Sequence, residues 1–80
     1  SAYAEWGRQD LAIEDYSRAI ALQPGDLVLW RNRALSYFKT AQYDRALSDL
    51  KEFARLGGTP DPSLIRQIEQ ELKKGNTNRH

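Results

Sequence analysis

The chain has 80 residues, 40% hydrophobic and 29% charged, with 12 Lys and Arg against 11 Asp and Glu for a formal net charge of +1. That leaves room for one small core and no second domain, and so even a charge balance gives no pull toward nucleic acid or an anionic membrane, neither of which is an expected partner. With no Cys and a single His, the terminal His80, disulfide scaffolds, thiol catalysis and thiolate zinc sites are excluded, so stability must come from helix packing.

In chain order, Asp10 to Leu22 carries Leu11, Ala12, Tyr16, Ala19 and Ile20 at helical spacing, and Pro24-Gly25 stops it. Asp26 is placed to cap a second helix whose inner stripe is Trp30, Ala34 and Tyr37, reaching toward Ala41. Tyr43 to Leu56 repeats the earlier pattern through Ala46, Leu47, Leu50, Phe53 and Ala54, and ends at Gly57-Gly58. The last helix has Asp61 as N-cap, Pro62 as its first residue, and Lys73-Lys74-Gly75 as a cationic last turn followed by a C-terminal Gly. Its Leu64, Ile65, Ile68 and Leu72 form one dry side, opposite Arg66, Gln67, Glu69, Gln70, Glu71 and Lys73, a distribution that closes a stack of helices. Residues 75–80 read as a disordered tail.

Shifted on itself by about 34 residues, the chain places Tyr3 on Tyr37, Gly7 on Ala41, Ala12 on Ala46, Asp15 on Asp49, Leu22 on Leu56 and Pro24 on Gly58. The same shift puts Trp30 on Leu64 and Ala34 on Ile68. The expected architecture is all-α: a partial helix-turn-helix repeat over 1–24, a full repeat over 25–58 and a capping helix over 61–74. Beginning partway through a repeat leaves Tyr3, Leu11 and Tyr16 on an open N-terminal edge, where a further repeat, another molecule or a second copy of the chain can pack. Trp6, next to Gly7, stands at that edge, whereas Tyr16, Trp30, Tyr37 and Tyr43 are expected in helix packing.

In stacked helix pairs the first helix of each pair lines the concave face. The candidate partner-binding residues are therefore Val28, Arg31, Asn32, Leu35, Phe38 and Lys39 on the helix from Leu27 to Lys39, with Arg66 on the last helix. Between Leu27 and Tyr43 stand Arg31, Arg33 and Lys39 and no acid, while Glu14, Asp15, Asp44, Asp49 and Glu52 lie on the second helices. A basic, partly apolar inner face suits a protein or peptide segment that brings carboxylates, internal or C-terminal, and apolar side chains. Taken singly, each of these cations is equally explained as solvating a helix face.

No catalytic residue, metal site or cofactor is expected. His80 is in the tail, there is no Gly-rich phosphate loop, and neighbouring acids such as Glu14 and Asp15 do not share a helix face. Apolar runs are no longer than Leu27 to Trp30, far short of the roughly 18 residues that span a bilayer, and no basic-then-apolar leader is present. With the lack of Cys, these features point to the cytoplasm.

The residues Gly7, Ala12-Ile13, Tyr16, Ala19-Ile20, Leu22 and Pro24, followed by Trp30, Ala34, Tyr37, Tyr43, Ala46 and Leu50, resemble the tetratricopeptide-repeat (TPR) family over about residues 1–58. The resemblance implies a solenoid fragment of about one and a half repeats plus a capping helix, which works as a protein-interaction scaffold. Ala41 departs from the family's Gly, Phe53 from its small Ala and Gly58 from its Pro; Phe53 needs space from something smaller opposite, or a tilted last helix. Within the family, Val28-Leu29-Trp30-Arg31-Asn32-Arg33 is similar to chaperone-binding co-chaperones, in which an Asn helps clamp the C-terminal carboxylate of Hsp70 or Hsp90. Asn32 stands in that place and Arg66 where the next repeat supplies a cation. The Lys and Asn of the preceding repeat have no counterpart at Ser1, and Pro62 stands where a Lys is expected.

Overall fold

In the computed structural model, residues 2–77 are described along the backbone and 7–74 in their side chains. They form α1 (Ala2–Leu22), α2 (Leu27–Lys39), α3 (Tyr43–Arg55) and α4 (Pro62–Thr77), with no strand among the described residues. Each helix packs on its neighbours in the chain, α1 on α2, α2 on α3 and α3 on α4. The radius of gyration, 13.1 Å, exceeds the about 12 Å of a compact globule of this length. The helices are therefore laid out as a row rather than gathered into a bundle.

Asp26 caps α2 with its carboxylate accepting from the Val28 N–H (3.1 Å), and Asp61 caps α4 by accepting from the Ser63 N–H (3.0 Å). Two helix ends close with the same pair of backbone bonds. After α2, the Gln42 N–H donates to the Tyr37 carbonyl (2.8 Å) and the Ala41 N–H to that of Phe38 (3.1 Å). After α3, the Gly58 N–H donates to the Phe53 carbonyl (2.9 Å) and the Gly57 N–H to that of Ala54 (3.0 Å). The pivot residue is left-handed in both, at φ 109° for Gly57 and φ 61° for Ala41. A residue with a Cβ occupies the second pivot at a steric cost.

The repeat register puts a turn at Gly7 as well, yet α1 runs through it. At Ala41 the turn is held by α3 folding back on α2, whereas at Gly7, among the described residues, nothing beyond the helix itself lies within 4 Å of where a Cβ would be. Where no neighbour packs, adding one helical hydrogen bond per residue wins. α4 likewise passes through Gly75 to Thr77, so residues 75–77 are helical where the sequence suggests a tail, and 78–80 lie outside the described residues.

The core sits between α2, α3 and α4, where Ala34, Ala46, Leu50 and Ile68 are sealed from solvent and Tyr37, Phe38, Tyr43, Leu47, Leu64, Ile65 and Leu72 pack around them. Small residues at Ala34 and Ala46 let α2 and α3 approach closely. Ile68, fully buried, anchors α4 by its dry side, and Arg66, Gln67, Glu69 and Gln70 face solvent.

The α1 to α2 join is more polar. The Trp30 indole N–H donates to the Pro24 carbonyl (2.9 Å), tying α2 to the preceding turn. Arg33 reaches both neighbouring helices: Nε and Nη2 bond the two Asp49 oxygens at 2.8 Å each, and Nη1 donates to Ser17 Oγ at 3.1 Å. The Ser17 hydroxyl in turn donates to the Ile13 carbonyl (2.7 Å). Trp30 and Tyr37 flank the guanidinium, their ring centroids 5.0 and 5.5 Å from its carbon. Hydrogen bonding to Asp49 holds the Arg33 guanidinium above its ordinary pKa even though burial acts the other way.

Candidate functional site

Between α2 and α4 lies a cleft of about 290 Å³, floored by Leu50 and Phe53 of α3, walled by Leu35 and Leu64, and rimmed by Arg31 on one side and Thr59, Pro60 and Asp61 on the other. It forms because Asp61 and Pro62 start α4 abruptly, leaving the 56–61 connection to bridge the gap.

Of the residues expected to meet a partner, Arg31 and Leu35 line the cleft. Asn32 is half-buried, Val28 is 52% exposed, and Lys39 and Arg66 are exposed, all outside the cleft lining. Phe38 is half-buried and outside the cleft lining; its ring meets Tyr43 edge-on at 5.7 Å and packs against the core.

The expected partition of charge, basic inside and acidic outside, holds for some residues and fails for a pair. Arg33 is committed to Asp49, and Asp49 is buried at 3% exposure rather than displayed on the outer side. Among the described residues Arg31, Lys39 and Arg66 enter no ion pair, whereas Arg18–Glu14, Arg33–Asp49, Arg55–Glu52 and Lys74–Glu71 are paired. On the outer side of α3 the pairing of Arg55 holds the Glu52 carboxyl below its ordinary range. Arg8, Arg45 and Lys51 on α1 and α3 enter none of these pairs either, so what sets Arg31 apart is its place on the cleft rather than its lack of an ion pair.

The sequence reading did not reach Leu50, Phe53, Thr59, Pro60, Asp61 and Leu64 as cleft residues. The available signal was the unusual Phe53 with Gly58 five residues on. The ring lies where a Cβ on Gly58 would be, its Cζ and both Cε atoms too close to that position for any side chain there. The smaller residue that Phe53 requires is thus Gly58, and two departures from the repeat pattern are one adjustment. At the other end, on α1, Leu11 is 64% exposed and Tyr16 is half-buried. The side chains of Tyr3 and Trp6 lie outside the described residues.

No family model and no solved structure matches the chain at a significant level. A stretch of 38 residues, 48% of the chain, is 45% identical to tetratricopeptide repeat protein 28 of Homo sapiens, of which it covers 2%. Over 38 residues, again 48% of the chain, it is 47% identical to serine/threonine-protein phosphatase 5 of Mus musculus, of which it covers 8%. The chain therefore corresponds to a small fraction of the length of these relatives.

Proposed function

We propose, for this chain of the tetratricopeptide-repeat family, that it is a protein-protein interaction module holding an extended acidic segment of a partner along α2 and across to α4. The observation that carries this reading is the unpaired Arg31 at the cleft. Arg31 stands at the rim of a partly apolar cleft without an ion-pair partner among the described residues, no acid lies between Leu27 and Tyr43, and Asp61 on the cleft rim makes no ion pair with it. A carboxylate reaching Arg31 gains a charge-assisted, bidentate hydrogen bond and breaks no internal pair, whereas one reaching for Arg33 would have to displace Asp49. Lys39 and Arg66 extend the attraction along the groove, at a range that salt shortens.

The finer form of this reading, a clamp on a partner's terminal carboxylate, rests on Asn32 next to Arg31 and on Arg66. The two forms separate in an NMR titration of the labelled chain with two acidic peptides that differ only in ending as a free acid or an amide. Movement of Arg31, Asn32, Lys39 and Arg66 signals with both peptides is the expected result for an internal acidic segment. Movement with the free acid alone assigns the clamp, and no movement with either would falsify the groove reading.

A further inference from the structure

On the reading that the groove holds an acidic segment, we infer that the cleft behind Arg31 receives one bulky apolar side chain of that segment, and that Gly58, by giving the Phe53 ring its place, sets how large that side chain is.

The cleft lining is about half apolar, from Leu35, Leu50, Phe53 and Leu64, and half polar, with Arg31, Thr59 and Asp61 among its residues. An apolar side chain gains where it lies on the leucines and the Phe53 ring, and a polar group placed there loses its water without replacement. Size points the same way. A cavity of about 150 Å³ is enough for benzene, so an open cleft of about 290 Å³ admits a side chain as large as Leu or Phe. The rim fixes what sits beside it. Arg31 is free to meet an acid, while Asp61 already uses one carboxylate oxygen to accept from the Ser63 N–H and repels a second acid on its own side. The occupant is therefore an extended segment with a bulky apolar residue and an acid adjacent to it on the α2 side.

Phe53 sets the depth. Its ring tip fills the space that any side chain at position 58 would need, and the same ring forms part of the cleft floor. A Cβ at position 58 forces that tip off the 57–58 turn, and because the ring is part of the floor the cleft changes depth while every lining residue keeps its identity. Gly58 is a positioning residue in this scheme, acting only through Phe53.

The test uses the peptides Ac-Glu-Glu-Xaa-Glu-Ser-amide, with Xaa as Ala, Val, Leu or Phe, and measures Kd by fluorescence or NMR for the unaltered chain and for Gly58→Ala. The unaltered chain is expected to prefer Leu and Phe over Ala by about tenfold. Gly58→Ala should lose most of that preference while its Kd for the Ala peptide stays within about twofold. Phe53→Leu should raise the preference for Phe over Val, and the double variant Phe53→Leu with Gly58→Ala should recover the large side chains. These two remain informative should Gly58→Ala alone fail to fold. Equal binding of all four peptides to the unaltered chain overturns the cleft inference and leaves the groove reading standing. A folded Gly58→Ala that keeps the original preference does the same, whereas no binding by any of the four overturns both.

Discussion

Arg33 and Arg31 are two residues apart on one helix and do different work, because two residues of helix turn a side chain to another face. Arg33 faces α3 and α1 and is bonded through three nitrogens, while Arg31 faces the cleft. Removing one member of a buried pair leaves the other charge desolvated, at about 3–5 kcal/mol; Arg33 retains some access to water, which favours the lower end. Asp49→Ala is therefore expected to cost about 3 kcal/mol and to lower Tm by more than about 10 °C. Arg18→Ala, which breaks the solvent-exposed pair with Glu14, should cost under about 0.5 kcal/mol. Thermal melts of the two variants decide it, and equal losses would contradict the account. This pair was not legible in the sequence. Arg33 and Asp49 lie 16 residues apart on different helices, and periodicity assigns an isolated charge to a solvated face unless the packing that buries it is already known.

The helices themselves were largely legible, because their starts and stops depend on local chemistry. Asp26, Asp61, Pro62 and Gly57 each do in the structure what their position predicts. Glycine was less reliable as a stop signal, since it permits a left-handed turn without enforcing one: Gly7 and Gly75 sit inside helices, while Ala41 makes the turn. Tertiary packing decides which of these positions turns. At Ala41 it holds a residue in a conformation costing about 1–2 kcal/mol that glycine adopts freely. Ala41→Gly should accordingly stabilise the chain by about 1 kcal/mol, part of the relief being offset by the greater freedom of glycine in the unfolded state. Chemical denaturation measures this as a higher midpoint at unchanged slope. A lower midpoint would mean that the turn carries no strain.

At the scale of the molecule, laying helices in a row exposes a surface that a bundle would bury, and on it the unpaired Arg31 meets the cleft. The α2 side of the groove could be read from the sequence, since Arg31 and Leu35 follow from helical spacing alone. The α3 floor and the 59–61 rim could not, because Leu50, Phe53 and Asp61 come together at the cleft only once α4 has docked on α3 through Ile68. Among the described residues no helix is long and apolar enough to cross a membrane, and the balanced net charge leaves local charge placement to do the recognising. The most direct test is the Kd of one acidic peptide for the unaltered chain, for Arg31→Glu, and for Arg18→Glu on the outer side of α1, at low and moderate salt. The account predicts that Arg31→Glu weakens binding by at least about tenfold, most strongly at low salt and with the melting curve unchanged, while Arg18→Glu has little effect. Equal affinities for Arg31→Glu and the unaltered chain would contradict it.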